Sequence, residues 1–232
     1  MPARKPFGTV GREFLDAPET RRPTCPRIVV LIGSGAVALY VALMGMLHLA
    51  SDLDWATHET SRYFHGPLGS VFVMAVLMKS VAAFAAAAAL RWSTGTTAAP
   101  ALLAVYGVCD ILSAVFPIAS EETAGSSGIV HAVAGNIAFL AFPAAALITC
   151  RAFLRTPLDS PHRRSLLTAT GLSLLAVPLV LAFAALSTAG VGQRILMAST
   201  CLTLLVVFSA TQALRFSGGR AVPAVPRGTG DR

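Results

Sequence analysis

Lys79 and Asp110 each stand inside a long apolar run, Lys79 between Met78 and Ser80 and Asp110 between Cys109 and Ile111. An unpaired charge at membrane depth costs at least ~2.5–3.5 kcal/mol, so such residues pair or mark a functional path. The two runs are joined by a short connection and must be antiparallel, which brings both charges to similar depth. Tyr106, four residues before Asp110, and Ser113, three after it, share its helix face. A proton relay or counter-ion site is one reading of this pair. A buried ion pair that fixes helix register is the other, and opposite charges at matched depth already account for both residues.

A second constellation gathers where other runs end. His48 and Asp52 are four apart and share a face if the first helix continues that far, with Tyr40 and Met44 extending the stripe inward. Asp54, Trp55, His58, Glu59, Arg62, Tyr63 and His65 follow before Gly66-Pro67. His131 opens the fourth run with Asn136 deeper in it, and Arg194, beside Gln193, opens the sixth at the same level. We take His48, Asp52, Tyr63, His131 and Arg194 as a candidate ligand pocket. Imidazole and carboxylate from separate helices can hold zinc, and a metal-bound water suits hydrolysis. His48, Asp52 and His131 are the trio for that chemistry. The expectation is nevertheless no cofactor and no metal, because HExxH and paired CxxC spacings are absent, as are GxGxxG, Walker, GxSxG and CxxCH motifs. Trp55, Tyr63 and Trp92 fit interfacial anchoring.

The elements that would position these residues are read from composition. Of 232 residues, 55% are hydrophobic and 12% charged, against roughly 25% charged in soluble domains, and the mean hydropathy is +0.69. So few charges cannot cover a water-exposed surface. Six runs approach the ~20 residues that cross a bilayer as helix: Ile28 to Ala50, Leu68 to Leu90, Ala101 to Phe116, Ile129 to Cys150, Ser165 to Leu186 and Ile195 to Leu214. None alternates as barrel strands do. The predicted fold is an all-α bundle of six transmembrane helices over residues 27–216, with tails at 1–26 and 217–232 expected to be disordered and cytoplasmic.

Fifteen of the 18 Lys and Arg residues fall in the two tails and the connections after the second and fourth runs; Arg62 and Arg194 alone fall in the other connections, and Lys79 is intramembrane. Basic segments stay inside, which predicts that both termini are cytoplasmic and the His-rich loops external. The net charge of +7 thus suits an anionic inner leaflet rather than nucleic acid, for which there is no basic stripe interleaved with aromatics. None of the four cysteines lies in a predicted external loop, so no disulfide framework is expected. The seven alanines of 82–89 and Gly33, Gly35 and Gly45 read as close-packing faces. Pro143 and Pro178 are expected to kink their helices.

The chain resembles a prokaryotic family of polytopic membrane proteins, domain of unknown function 998, over about Ile28 to Phe216. The resemblance is carried by His48 at the exit of the first helix, Ser61 and Tyr63 before Gly66-Pro67-Leu68-Gly69, and Phe116-Pro117. An acidic, Gly-containing loop, Gly128 to His131 and Gly192-Gln193-Arg194 complete it. Where the family pattern has an Asp soon after Phe-Pro, Ile118-Ala119-Ser120 precede Glu121 and Glu122 here. The resemblance implies a six-helix membrane domain of the prokaryotic cytoplasmic membrane and brings no established reaction. The residues suggest an outward polar pocket that binds or moves a lipid or small molecule. A metal-dependent intramembrane lipid hydrolase and a structural subunit of a membrane complex are the alternatives; whether the chain is an enzyme, and which proteins partner it, stays open.

Overall fold

The computed structural model describes residues 25–116 and 126–218. Six helices follow one another: α1 Arg27–Ala50, α2 Gly69–Thr94, α3 Ala98–Val115, α4 Ser126–Leu154, α5 Ser160–Ala185 and α6 Ala189–Gly218. A short 3-10 turn, η1, spans Thr60–His65 in the α1–α2 connection. There is no strand among the described residues. All six helices are long and apolar enough to span a bilayer, with mean hydropathy between 1.8 and 2.3 in their most apolar windows. In lipid a helix satisfies its own backbone, which is why runs of this length adopt it. The expected tails fall almost wholly on residues 1–24 and 219–232, and Glu121 and Glu122 on 117–125; all lie outside the described residues.

Neighbours in sequence pack as neighbours in space, and α1 closes the ring against α6, with α2 also touching α6. Large apolar side chains face outward all round, among them Leu31, Leu49, Leu140 and Leu181. Water would make that surface an aggregation hazard; lipid makes it the solvated face. The protein is a multi-pass membrane protein.

Small residues set the helix spacing. Ala82, Ala83, Ala86 and Ala89 are fully buried, and a Cβ on Gly33 would enter the ring of Phe208. Gly35 and Gly45 have open space beside them, so of the three α1 glycines only Gly33 carries the packing expected of them all. Pro143 and Pro178 each lie within an uninterrupted helix. Gly95 ends α2 at φ +69°, a left-handed position that glycine adopts without Cβ strain. Only residues 95–97 separate α2 from α3, which enforces their antiparallel register. The opposite end of the bundle, called the η1 end below, carries η1 and the starts of α4 and α6.

Candidate functional site

The register of α2 against α3 places Lys79 Nζ 3.1 Å from Asp110 Oδ1, with both side chains nearly buried. Ser80 donates to the second carboxylate oxygen, Oδ2, at 3.4 Å. The ammonium also stands over two phenol rings, 5.5 Å from the Tyr40 centroid and 5.8 Å from that of Tyr106, a distance at which the ring quadrupole attracts a cation. Tyr106 leans in turn on Phe142 of α4, centroids 5.0 Å apart. Side chains of α1, α2 and α3 therefore surround one charge pair, with α4 packed behind Tyr106. Tyr106 stands beside the pair, as its spacing from Asp110 predicts, whereas Tyr40, expected on the His48 stripe, meets Lys79, and Ser80 joins the pair with no spacing signal to mark it.

The pair is not sealed. A cavity of about 250 Å³ reaches from Lys79, Tyr106 and Asp110 to Glu59, Gly128 and His131 at the η1 end. One face of α4 forms a wall, with His131, Ala132, Gly135, Asn136 and Phe139 recurring at helical spacing, opposite Gln193, Leu196, Met197 and Thr200 of α6.

At the η1 end a second cluster ties α6 to α1 and to the α1–α2 connection. Arg194 Nε donates to His48 Nε2 at 2.6 Å. One of its terminal nitrogens donates to the carbonyls of His58 and Gly190, each at 3.0 Å, and the other to the Tyr63 hydroxyl at 3.2 Å. His48 Nδ1 lies 2.6 Å from the Met44 carbonyl, so its proton sits there and Nε2 presents the lone pair that Arg194 needs. Gln193 Oε1 accepts from the backbone N–H and the hydroxyl of Thr60, at 2.6 and 3.0 Å. Gly190 is required here, because a Cβ would strike the carbonyls of His58 and Trp55. Asp54 holds the connection's turn by accepting from Ala56 N–H and Thr57 Oγ1 at 3.0 and 2.8 Å. Those two bonds hold its carboxyl below the usual carboxylate range. A second hollow, about 520 Å³, lies under this connection, lined by Leu47, Asp52, Arg62, Tyr63 and His65 among others.

The five candidate pocket residues thus divide. His48, Tyr63 and Arg194 meet, the His48 and Tyr63 rings standing 5.5 Å apart. His131 lies elsewhere, its Nδ1 at 2.9 Å from both the Ser113 and Phe116 carbonyls, where it caps the free end of α3. Asp52 lines the second hollow beside Tyr63 but bonds to none of these residues. α1 ends at Ala50 with Ser51 extended, so the expected shared face of His48 and Asp52 does not form and Asp52 is exposed. The zinc trio His48, Asp52 and His131 is therefore not assembled, and among the described residues no three His, Cys, Asp or Glu side chains stand close enough to hold a metal. Nothing in the sequence marks the Thr60–Gln193 clasp, which joins two ordinary polar residues 133 positions apart.

No curated protein and no solved structure matches the chain. One family profile does, over residues 34–210, a span that takes in all or most of every helix, the Lys79–Asp110 pair and the Arg194 cluster. The chain belongs to the family described as Protein of unknown function (DUF998).

Proposed function

We propose that this membrane protein binds a lipid or small molecule in the cavity above Lys79 and Asp110, and that the cavity faces out of the cell. The observation that carries the reading is the cavity itself: a charge pair that served helix register alone would be packed over, whereas this one forms the floor of a space open toward the η1 end. The orientation rests on the basic residues, concentrated in the tails and in the connections at the other end. On this reading both termini are cytoplasmic and residues 27–216 form one membrane domain, and the family resemblance supports the cytoplasmic membrane of a prokaryote. Binding by a shaped, mostly apolar pocket with a few convergent polar groups needs no catalytic motif.

The test fills the cavity. Gly135 lines the cavity, and a Cβ there meets nothing nearer than Ser113 Oγ at 4.0 Å, so Gly135→Leu starts from open space and adds bulk to the cavity wall. Native mass spectrometry of the protein released from lipid nanodiscs should find a bound molecule in the parent and lose it in Gly135→Leu at unchanged thermal stability. Equal occupancy in both, or none in the parent, would overturn the proposal.

A further inference from the structure

The walls of the cavity are uneven, and the unevenness points to the route of entry. α4 and α6 face one another across it yet scarcely touch. α5 follows α4 and precedes α6, and would be expected to cover the gap. It does so at one end only. Its buried residues, Leu166, Ala169, Thr170, Ser173 and Ala176, all precede Pro178, and Thr170 bonds to the Ala146 carbonyl in the half of α4 remote from η1. Beyond Pro178 no residue of α5 is buried, and that half leans on α6, with Val180 and Phe183 against Gly192. The η1-side half of α4 packs on α3 through Ala134 and Ala138 but is left uncovered by α5, so that Ala132 and Asn136 line the cavity and are exposed at once.

Asn136 supplies an independent sign. It stands ten residues into α4, flanked by the outward-facing Val133, Ile137 and Leu140, and its amide has no hydrogen-bond partner among the described residues. An unpartnered amide on a surface bathed in hydrocarbon costs on the order of several kcal/mol. The cost disappears if a polar group passes or rests there. Size narrows the occupant further: about 250 Å³ lies below the ~300–1,000 Å³ that encloses a whole drug-sized ligand. That is room for a headgroup and not for the tail attached to it.

We infer that the cavity is filled sideways from the bilayer leaflet on the η1 side, between α4 and α6, by a membrane lipid whose headgroup enters past Asn136 while its acyl chain stays outside. This rests on the binding role proposed above and names its ligand class and its door.

The experiment reconstitutes the full chain into phosphatidylethanolamine–phosphatidylglycerol nanodiscs containing some phosphatidylethanolamine with a photoactivatable diazirine early in one acyl chain. Cross-linked peptides are then mapped by mass spectrometry. Labels are expected on the facing stripes around Ala132–Phe139 and Leu196–Thr200, beside ordinary surface labels near Leu181. Gly135→Leu and Asn136→Leu should each lower the stripe labels several-fold and leave those near Leu181 unchanged, which also shows that the variants are folded and inserted. Labels confined to the outer surface, or stripe labels indifferent to both substitutions, would overturn the inference. If mass spectrometry finds a bound molecule that Gly135→Leu removes while the stripes stay unlabelled, lateral entry fails and the binding role stands. If no molecule is bound, both fall.

Discussion

Lys79 and Asp110 are each tolerable in the bundle only because of the other. Their 3.1 Å contact neutralises two charges where water is scarce, and Ser80, Tyr40 and Tyr106 complete the surroundings. Removing one partner leaves the other uncompensated, at about 3–5 kcal/mol. Lys79→Met and Asp110→Asn should therefore each lower the melting temperature and the folded yield in membranes. The exchange Lys79→Asp with Asp110→Lys should recover most of that loss, since it keeps a pair at the same depth. Single variants that melt as the parent does would mean that the pair contributes little to the fold. Arg194 works differently: its partners are a lone pair, two carbonyls and a hydroxyl, so it joins segments without balancing a charge.

At the scale of elements, helix approach is set where side chains are missing. Gly33 lets α1 settle on the ring of Phe208, and Gly45 in the same helix has open space. Gly33→Ala should cost about 1–3 kcal/mol by forcing an already packed contact apart. Gly45→Ala should be neutral or slightly stabilising, because alanine suits a helix better than glycine. Thermal melts of the two variants side by side check this, and equal effects would sink it. The start of α5 depends on Asp159, which accepts from the His162 backbone N–H at 3.2 Å and lies 2.5 Å from the His162 ring nitrogen Nδ1. These contacts, the ring first, hold its carboxyl below the ordinary value of 3.8. A carboxyl depressed in the folded state contributes stability above its unfolded pKa and loses it as pH falls from there through the folded pKa. Asp159→Ala should thus melt below the parent at neutral pH, and the gap should close below about pH 4. A gap that persists unchanged in acid would mean that the cap acts by shape alone.

The described residues form a ring of six helices, with the cavity mouth and the Arg194 cluster toward one end and the basic connections at the other. In the orientation proposed above, with the basic connections inside, the η1 end and the cavity face outward. Asp52→Cys, on an exposed η1-side position, should react with a membrane-impermeant maleimide in intact cells. Arg155→Cys, between α4 and α5, should react only after lysis. The native cysteines are all buried and give little background. The reverse pattern would turn the molecule over and put the cavity on the cytoplasmic side.

The sequence by itself determined the number of helices, their approximate limits and the family, because uninterrupted apolar length is a local property and lipid leaves the backbone few alternatives. It also determined that Lys79 and Asp110 fall at similar depth, since a short connection between antiparallel helices leaves the register little freedom. What only the tertiary structure decided is which distant polar residues share a site. His48, Tyr63 and Arg194 come together while His131 and Asp52 do not, because rotation about each helix axis and the stop of α1 at Ala50 depend on packing between helices. Tyr40 meets Lys79 rather than extending a His48 pocket for the same reason. The gap between α4 and α6 is likewise invisible in the chain: it exists because α5 leans on one neighbour past Pro178 and leaves the other uncovered. A hydropathy pattern records which segments enter the bilayer, and side-chain packing decides what space they leave between them.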